Sequence, residues 1–318
     1  MEYCRLKSCV MTIALGALMA FADGKQAGSG IFLTTPCDAI CCSQRASSGI
    51  EGMAPATVKV DILLPQERRL REFSERNIVL NWELAAWERH QLHNHQEVVY
   101  DFVDYMRKTK NKFAQKEKAG DFAPPDIGWS FSLKSVVPWN SKKYFSYRSS
   151  VYTFLGGIHS DIWYQNGTYS YQLGRRMTVA DLFEKRHLLA VVKLIRKQIH
   201  ENESCGEGLR ERMGKEPKGT YEQYASRQNV FPNETGDPCV TENFMIVEAG
   251  IVWTYNEYEI ACYTEGHTDV LVPWEQLTPY LKSKSLVDEC GIKGALEEME
   301  EKARKEGRIL KVGNLEFF

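Results

Sequence analysis

The sequence predicts an α+β protein in which antiparallel sheets carry packed helices, arranged as two closely associated subdomains. Three observations carry that reading. Runs rich in β-branched and aromatic residues recur at 56–64, 127–137, 144–155 and 244–255, divided by turn residues. The segment 66–119 contains neither Gly nor Pro, which favours helix. A second apolar stripe at helical spacing, Leu182, Leu189, Val192, Ile195 and Ile199, follows the middle strands.

Val58, Val60 and Ile62 alternate along the first strand, and Pro65 ends it. In the helical stretch Leu80, Leu84 and Trp87 share one face, and Val99, Phe102, Met106 and Phe113 repeat the pattern. A break between His90 and His95 divides it into two helices. Pro124-Pro125 stops the second, and Pro138 to Ser141 turns the chain between the next two strands. Gly156 and Gly157 then precede His159, where the missing Cβ atoms free the backbone and let another surface approach. Asn166-Gly167, flanked by 162–165 and 168–171, reads as a hairpin turn because both residues tolerate positive φ. Thr178 and Asp181 have the spacing of a capping box. Residues 201–240 read as a polar excursion with short helices. Residues 244–247 and 251–255 form a further hairpin about Glu248-Ala249-Gly250, 269–272 a strand, 273–277 the start of a short helix, and 288–307 a solvated helix.

The 40 basic and 42 acidic residues nearly cancel, which excludes a broad electrostatic surface for nucleic acid. The basic run 108–112 reads as a solvated helix end. Arg5 and Lys7 precede an apolar run, 10–22, that ends Ala20-Phe21-Ala22. That is the pattern of an export signal cleaved after Ala22. The run is shorter than the roughly 20 residues needed to cross a bilayer, so no transmembrane span is expected after cleavage. Residues 23–52, rich in Ser, Gly and Ala, read as a linker. Cys41-Cys42 raises lipid attachment, although Asp38-Ala39-Ile40 fits a lipobox poorly. The expected location is exported, in the periplasm or on the cell envelope, either free or lipid-anchored. Of the nine cysteines, Cys205, Cys239, Cys262 and Cys290 fall in the folded part. Exported cysteines favour structural disulfides, with three pairings open, and buried free thiols are the alternative. No zinc spacing occurs among them.

Gly156, Gly157, His159, Asp181, Leu182 and Phe183, then Tyr258, Ile260, Ala261, Tyr263, Gly266, Val270 and Pro273, form an ordered set of motifs. The set resembles the domain of unknown function 3298 family, which forms the C-terminal part of the anti-sigma factor RsiV. The preceding region is similar in layout to a PdaC-type domain. With the signal at 1–22 and the linker at 23–52, the resemblance divides the rest of the chain into 53–153 (PdaC-like), 154–282 (RsiV C-terminal-like) and 283–318 (C-terminal helix and tail). It implies an exported α+β protein whose relative in RsiV lies outside the membrane and binds lysozyme. In PdaC the related region accompanies a separate polysaccharide deacetylase domain. Only nine residues precede the apolar run, and some 36 follow residue 282, so the resemblance reaches the recognition part and neither attached output.

The expected function is therefore a non-enzymatic binding module of the cell envelope, whose partner is a lysozyme-like protein or a peptidoglycan fragment. The expected contact set is Gly156, Gly157, His159, Trp163, Tyr164, Tyr169, Tyr171, Tyr258, Tyr263 and His267. Tyrosine and tryptophan offer large area with a polar tip, which suits protein interfaces and sugar stacking. Cross-strand pairing inside the sheet accounts for about half of the hairpin aromatics, and the outward half marks the surface. The rival reading is a small hydrolase acting on envelope carbohydrate, with His159 as base, Asp161 or Asp181 orienting it and Ser160 as the nucleophile. Gly-Gly-x-His-Ser is not the Gly-x-Ser-x-Gly elbow, and Asp181 is better explained as a helix cap. His90, His93 and His95 form H-x-x-H-x-H, which a polar exposed face explains better than a metal site. No cofactor and no metal are expected.

Overall fold

The computed structural model describes residues 39–48, 56–85, 91–118, 129–154, 159–217, 219–222, 238–283, 286, 310–312 and 315–317. The chain divides into two compact units, one from 38–136 and 148–165, the other from 137–147 and 166–318. The division falls inside three strands rather than at a single point near 153–154, so the units interleave along the sequence. The fold is α+β, as the sequence predicts. The expected signal at 1–22 and the helix at 288–307 lie outside the described residues.

The first unit begins with β1 (Ala39–Ser48) and β2 (Ala56–Pro65), which pair antiparallel with Ala39 opposite Pro65. β1 lies within the segment read as a linker. Helices α1 (Arg68–Ala85) and α2 (His95–Lys118) follow, then β3 (Ser130–Asn140). β2 and β3 run parallel, Thr57 opposite Ser130. This departs from a purely antiparallel sheet, and the two helices supply the long crossover that a parallel pair needs. β4 (Tyr144–Phe154) and β5 (Asp161–Ser170) complete the long strands, and strand order is β1 to β6 in sequence, β6 being Arg175–Arg176.

The break between α1 and α2 falls where the sequence places it, and its cause is local. Asn94 Oδ1 accepts the Glu97 N–H at 3.0 Å, and Glu97 accepts the Asn94 amide at 2.8 Å and the His93 N–H at 2.8 Å. This reciprocal cap starts α2. His95 does not sit on an exposed face. Its side chain is 13% exposed, with Nδ1 2.8 Å from Glu75 Oε1, while its backbone N–H donates to Glu75 Oε2 at 2.6 Å. Trp82 Nε1 donates to Asp101 at 2.7 Å, tying the same two helices again. Among the described residues no group of three His, Cys, Asp or Glu could hold a metal ion.

The core side of α1 is Leu70, Phe73, Ile78 and Trp82, not the Leu80–Leu84 face; Leu84 is exposed. Trp82 meets Phe131 edge-on at 5.6 Å, and Phe102 stacks on Phe131 at 4.4 Å. The face that the sequence obscures also carries asparagines. Asn77 and Asn81 are buried, Asn77 accepting from the Ser149 hydroxyl at 2.8 Å and Asn81 donating to the Trp163 carbonyl at 3.1 Å. Two buried amides interrupt the apolar stripe and disguise it.

In the second unit β5 continues straight through Asn166-Gly167. The reversal comes four residues later, at Tyr171–Gly174, where Gly174 takes φ +66° and Tyr169 pairs with Arg176. The hairpin expected at Asn166-Gly167 is therefore not formed, because tertiary partners hold Asn166 extended. Its N–H donates to Asn243 Oδ1 at 2.8 Å, its side-chain amide to Thr254 Oγ1 at 2.5 Å, and its carbonyl accepts from Arg176 at 2.7 Å. Asn166 is fully buried.

Thr178 caps α3 (Val179–Leu182) as predicted. Asp181 accepts from the Thr178 N–H at 2.8 Å and its hydroxyl at 2.9 Å, and from Arg175 through both guanidinium nitrogens at 2.8 Å. The Arg175 fork, with the Thr178 bonds, holds this carboxyl far below the usual carboxylate range. Asp181 is a structural cap. Helix α4 (Leu188–Glu201) buries Leu188, Val191, Val192, Ile195 and Ile199, and α5 (Glu207–Gly214) packs beside it. Buried Arg196 donates to the Arg212 and Lys215 carbonyls at 2.7 Å, satisfying the end of α5.

A three-stranded antiparallel sheet completes this unit: β7 (Phe244–Val247), β8 (Gly250–Tyr255) and β9 (Thr268–Pro273), ending in the one-turn helix α6 (Trp274–Leu277). The hairpin about Glu248-Ala249 is as expected, Val247 opposite Gly250. Phe183, Phe244, Trp253, Trp274, Ile195 and Val272 lie in one continuous core with α4. At the edge of this sheet the backbone of Ile246 is satisfied by side chains. Its N–H donates to Thr168 Oγ1 at 2.9 Å, and its carbonyl accepts from the Ser146 hydroxyl at 2.6 Å. A short hairpin of β10 (Leu310–Val312) and β11 (Leu315–Phe317) lies near the C-terminus.

Cys205, Cys239 and Cys262 are free thiols, and Cys290 lies outside the described residues. The free-thiol alternative is the one these three show. Burial pushes the thiol of Cys205 up to about 11 and that of Cys239 up to about 12.

Replacing Thr168 by Val removes the acceptor of a buried N–H and should destabilise the protein by about 1–3 kcal/mol, read by urea unfolding. Gly174 and Gly250 separate strain from collision. A Cβ at Gly174 meets nothing within 4 Å, so Gly174→Ala should cost only the left-handed backbone, about 1 kcal/mol. A Cβ at Gly250 would fall 2.2 Å from the Val272 carbonyl oxygen, so Gly250→Ala should cost about 3 kcal/mol. Equal losses at the two positions would contradict this account.

Candidate functional site

The candidate contact residues fall in two places and are described unit by unit. In the first unit Gly156 and Gly157 lie outside the described residues. His159 is exposed, its Nδ1 3.3 Å from the Ser160 carbonyl oxygen and 3.4 Å from Asp161 Oδ1. Asp161 opens β5 and is itself half exposed. Trp163 and Tyr164 are buried, 7% and 6% exposed, and the Arg148 guanidinium lies 4.3 Å over the Tyr164 ring. Neither aromatic faces outward. The reason is that β5 is covered on both faces, every position from Trp163 to Ser170 being buried.

In the second unit Tyr169 is buried and meets Tyr171 edge-on at 5.8 Å. The Tyr171 hydroxyl donates to Asn140 at 3.2 Å. Cross-strand and local packing account for this pair. The remaining three, Tyr258, Tyr263 and His267, all lie on the connection between β8 and β9, residues 256–267, which is the best-formed surface feature among the candidates.

That connection is built by short-range hydrogen bonds. Glu259 N–H donates to the Asn256 carbonyl at 3.1 Å, and Glu259 Oε2 accepts the Asn256 N–H at 2.9 Å. Tyr258 N–H donates to the Ala261 carbonyl at 3.0 Å. A 3₁₀ turn, Tyr263–Glu265, follows, and Gly266 leaves it at φ +67°. Helix α5 and the residue before it brace the loop at two points. Arg212 donates to the Ile260 carbonyl, and Gly206 N–H donates to Glu265 Oε2 at 3.0 Å. His267 Nε2 lies 3.9 Å from Asp269, whose Oδ1 accepts the Thr254 hydroxyl at 2.5 Å.

Tyr258 is the one described non-glycine residue with positive φ, at +66°. Such a conformation is a true outlier for a bulky side chain and costs on the order of 1–3 kcal/mol. The strain places the Tyr258 ring 6.4 Å from the Tyr263 ring, with 31° between their planes. Both tyrosines are partly buried, so each keeps a face toward solvent. Burial raises several acidic groups near the turn. Burial lifts the Glu259 carboxyl to about 6, against the pull of the Asn256 bonds. Tyr221 is raised to about 12, and Tyr255 well above its ordinary value, chiefly by burial. Tyr255 donates to the Cys239 carbonyl at 2.6 Å. Sequence reasoning placed Tyr258, Tyr263 and His267 in the contact set and missed Glu259. In the sequence it is the second of two acids, Glu257 and Glu259, that flank Tyr258.

Among the described residues no helix is long and apolar enough to cross a membrane. No curated protein sequence matches the chain. Solved structures of two DUF3298 family proteins are among those that resemble it. One is a DUF3298 family member from Bacteroides fragilis NCTC 9343, 19% identical, with a TM-score of 0.57 over 80% of this chain and 96% of that one. The other is a DUF3298 family protein from Pseudomonas aeruginosa PAO1, 17% identical, with a TM-score of 0.52 over 79% of this chain and 96% of that one. At these identities they share the fold. Residues 180–275 match DUF3298, described as a protein of unknown function, and that segment contains α4, β7 to β9 and the whole 256–267 loop.

Proposed function

We propose that this chain is an exported, non-enzymatic recognition module of the cell envelope, RsiV-like in its DUF3298 part and preceded by a PdaC-type region. Its partner is a protein of the lysozyme type, and the contact is made by Tyr258, Tyr263 and His267. The observation that carries the reading is the strained Tyr258. A large side chain held at φ +66° beside a second tyrosine is an arrangement the fold maintains against its own backbone preference. Preorganised aromatic pairs with polar tips are what protein interfaces use as anchors. Export is supported by the apolar run 10–22 with its Ala20-Phe21-Ala22 end.

The hydrolase alternative rests on His159. Its Nδ1 lies 3.3 Å from the Ser160 carbonyl oxygen and 3.4 Å from Asp161 Oδ1, contacts that orient the imidazole without making the serine a nucleophile. Asp181, the other candidate orienting acid, is held by Arg175 and Thr178. These contacts favour recognition over turnover.

Calorimetric titration of the full chain with a lysozyme, and separately with soluble peptidoglycan fragments, tests the proposal. Saturable binding to lysozyme is expected, with Tyr263→Ala weakening it roughly tenfold to a hundredfold, about 1–3 kcal/mol, and His159→Ala leaving it within a factor of about two. Binding only to the glycan would move the partner from protein to carbohydrate. Cleavage of the glycan that disappears in His159→Ala would overturn the proposal in favour of a hydrolase.

A further inference from the structure

We infer that one water molecule is held inside the first unit beneath α1, bridging the side chains of Ser74, Asn77 and Asn81. The inference does not rest on the recognition reading.

Ser74, Asn77 and Asn81 are 0%, 1% and 0% exposed. They stand three and four residues apart on α1, so they share one face of the helix, with about 5–6 Å between neighbouring Cβ atoms. Each carries a buried polar atom without a hydrogen-bond partner: the Ser74 hydroxyl, Asn77 Nδ2 and Asn81 Oδ1. Their neighbours from the sheet are already committed. The Ser149 hydroxyl of β4 donates its one proton to Asn77 Oδ1 at 2.8 Å and accepts from Asn81 Nδ2 at 3.3 Å. The Trp163 carbonyl of β5 accepts from the same Asn81 nitrogen at 3.1 Å.

Turning the amides does not remove the deficit. The Trp163 carbonyl can only accept, so Asn81 must keep its nitrogen toward it and its oxygen away. The Ser149 hydroxyl can meet either end of the Asn77 amide, and the other end is then left without a partner. Buried polar atoms in this state have lost their hydration and gained nothing in exchange. A water both donates and accepts, so it matches the three atoms whichever way Asn77 is turned. Enclosed waters make about three hydrogen bonds to groups that would otherwise go unsatisfied. With bonds of about 2.8 Å, one water reaches partners about 5.5 Å apart, which is the rise of one helical turn.

The absence of charge on these groups sets the class of ligand. The two amides, the two hydroxyls and the Trp163 carbonyl are all neutral. A metal ion would find no carboxylate in this set, and an anion would find no cation. Either would be buried with its charge uncompensated, which costs far more than burying a neutral molecule. The water extends the polar seam from α1 to β4 and β5. It fixes the rotation of the helix on the sheet, because satisfied polar networks specify one arrangement where apolar contacts tolerate several.

A high-resolution crystal structure of the full chain tests this directly. An ordered oxygen is expected within about 3.2 Å of Asn77 Nδ2, Asn81 Oδ1 and the Ser74 hydroxyl. Side chains rearranged to satisfy one another, or a site without density, would overturn the inference. Oxygen-17 magnetic relaxation dispersion, which counts slowly exchanging internal waters, gives a second readout in solution. Asn77→Leu, similar in volume and lacking the amide, should show one long-lived water fewer than the wild type. An unchanged count in the folded variant would also overturn the inference. Should Asn77→Leu fail to fold, the wild-type crystal structure decides alone. No partner enters either experiment, so a failed lysozyme titration leaves the result untouched.

Discussion

The second unit depends on how the outer edge of β7 is satisfied. In the order β7-β8-β9, no described strand pairs with the outer side of β7. A buried N–H or carbonyl left without a partner costs as much as the whole net gain of several ordinary hydrogen bonds. Here the Thr168 and Ser146 hydroxyls take the place of a neighbouring strand at Ile246, and Thr168 and Ser146 lie 3.0 Å from each other. One residue type, a short hydroxyl side chain, thus does the work of a strand at Ile246. Asn166 and Asn243 extend the same device along β5, since Thr254 N–H donates to the Asn243 carbonyl at 3.0 Å. Everything above β7, from the core around Trp253 to the β8–β9 loop, is built on an edge closed in this way.

That device also explains what was and was not legible in the sequence. Local signals were reliable wherever the partner of a polar group lay a few residues away. The Thr178–Asp181 cap, the Val247–Gly250 hairpin and the break before His95 are all of this kind. Asn166-Gly167 has an equally strong local signal for a turn, yet stays extended, because its partners at 243, 254 and 176 are visible only in the fold. The same holds for α1, where Asn77 and Asn81 belong to the buried face and Leu84 to the surface. Hydrophobic periodicity reads side chains one at a time. It cannot see that an amide has been matched to a hydroxyl or a carbonyl across the core.

The candidate site shows the same division. The sequence marked the aromatic residues of β5 as a surface, counting on the usual alternation of inward and outward positions. β5 is covered on both faces, so Trp163, Tyr164 and Tyr169 belong to the interior. Tyr258, Tyr263 and His267 were legible because they lie together on one loop. What no sequence pattern displays is the sign of φ at Tyr258. Asn or Gly at that position would have announced a left-handed turn, whereas Tyr conceals it.

Strain of this kind persists only where the surroundings over-determine it. At Tyr258 the determinants can be counted by direction. From within the turn come the Asn256–Glu259 and Tyr258–Ala261 hydrogen bonds. From α5 comes Arg212, whose own helix end is satisfied by the buried Arg196. From β8 and β9 come the paired strands that fix both ends of the loop, Tyr255 opposite Thr268. The residue before α5 adds another, the Gly206 N–H donating to Glu265 Oε2 at 3.0 Å. A loop braced from within, from α5 and from both flanking strands holds Tyr258 beside Tyr263 through several supports at once. The strain at Tyr258 is therefore the local cost of a geometry that these independent supports fix together.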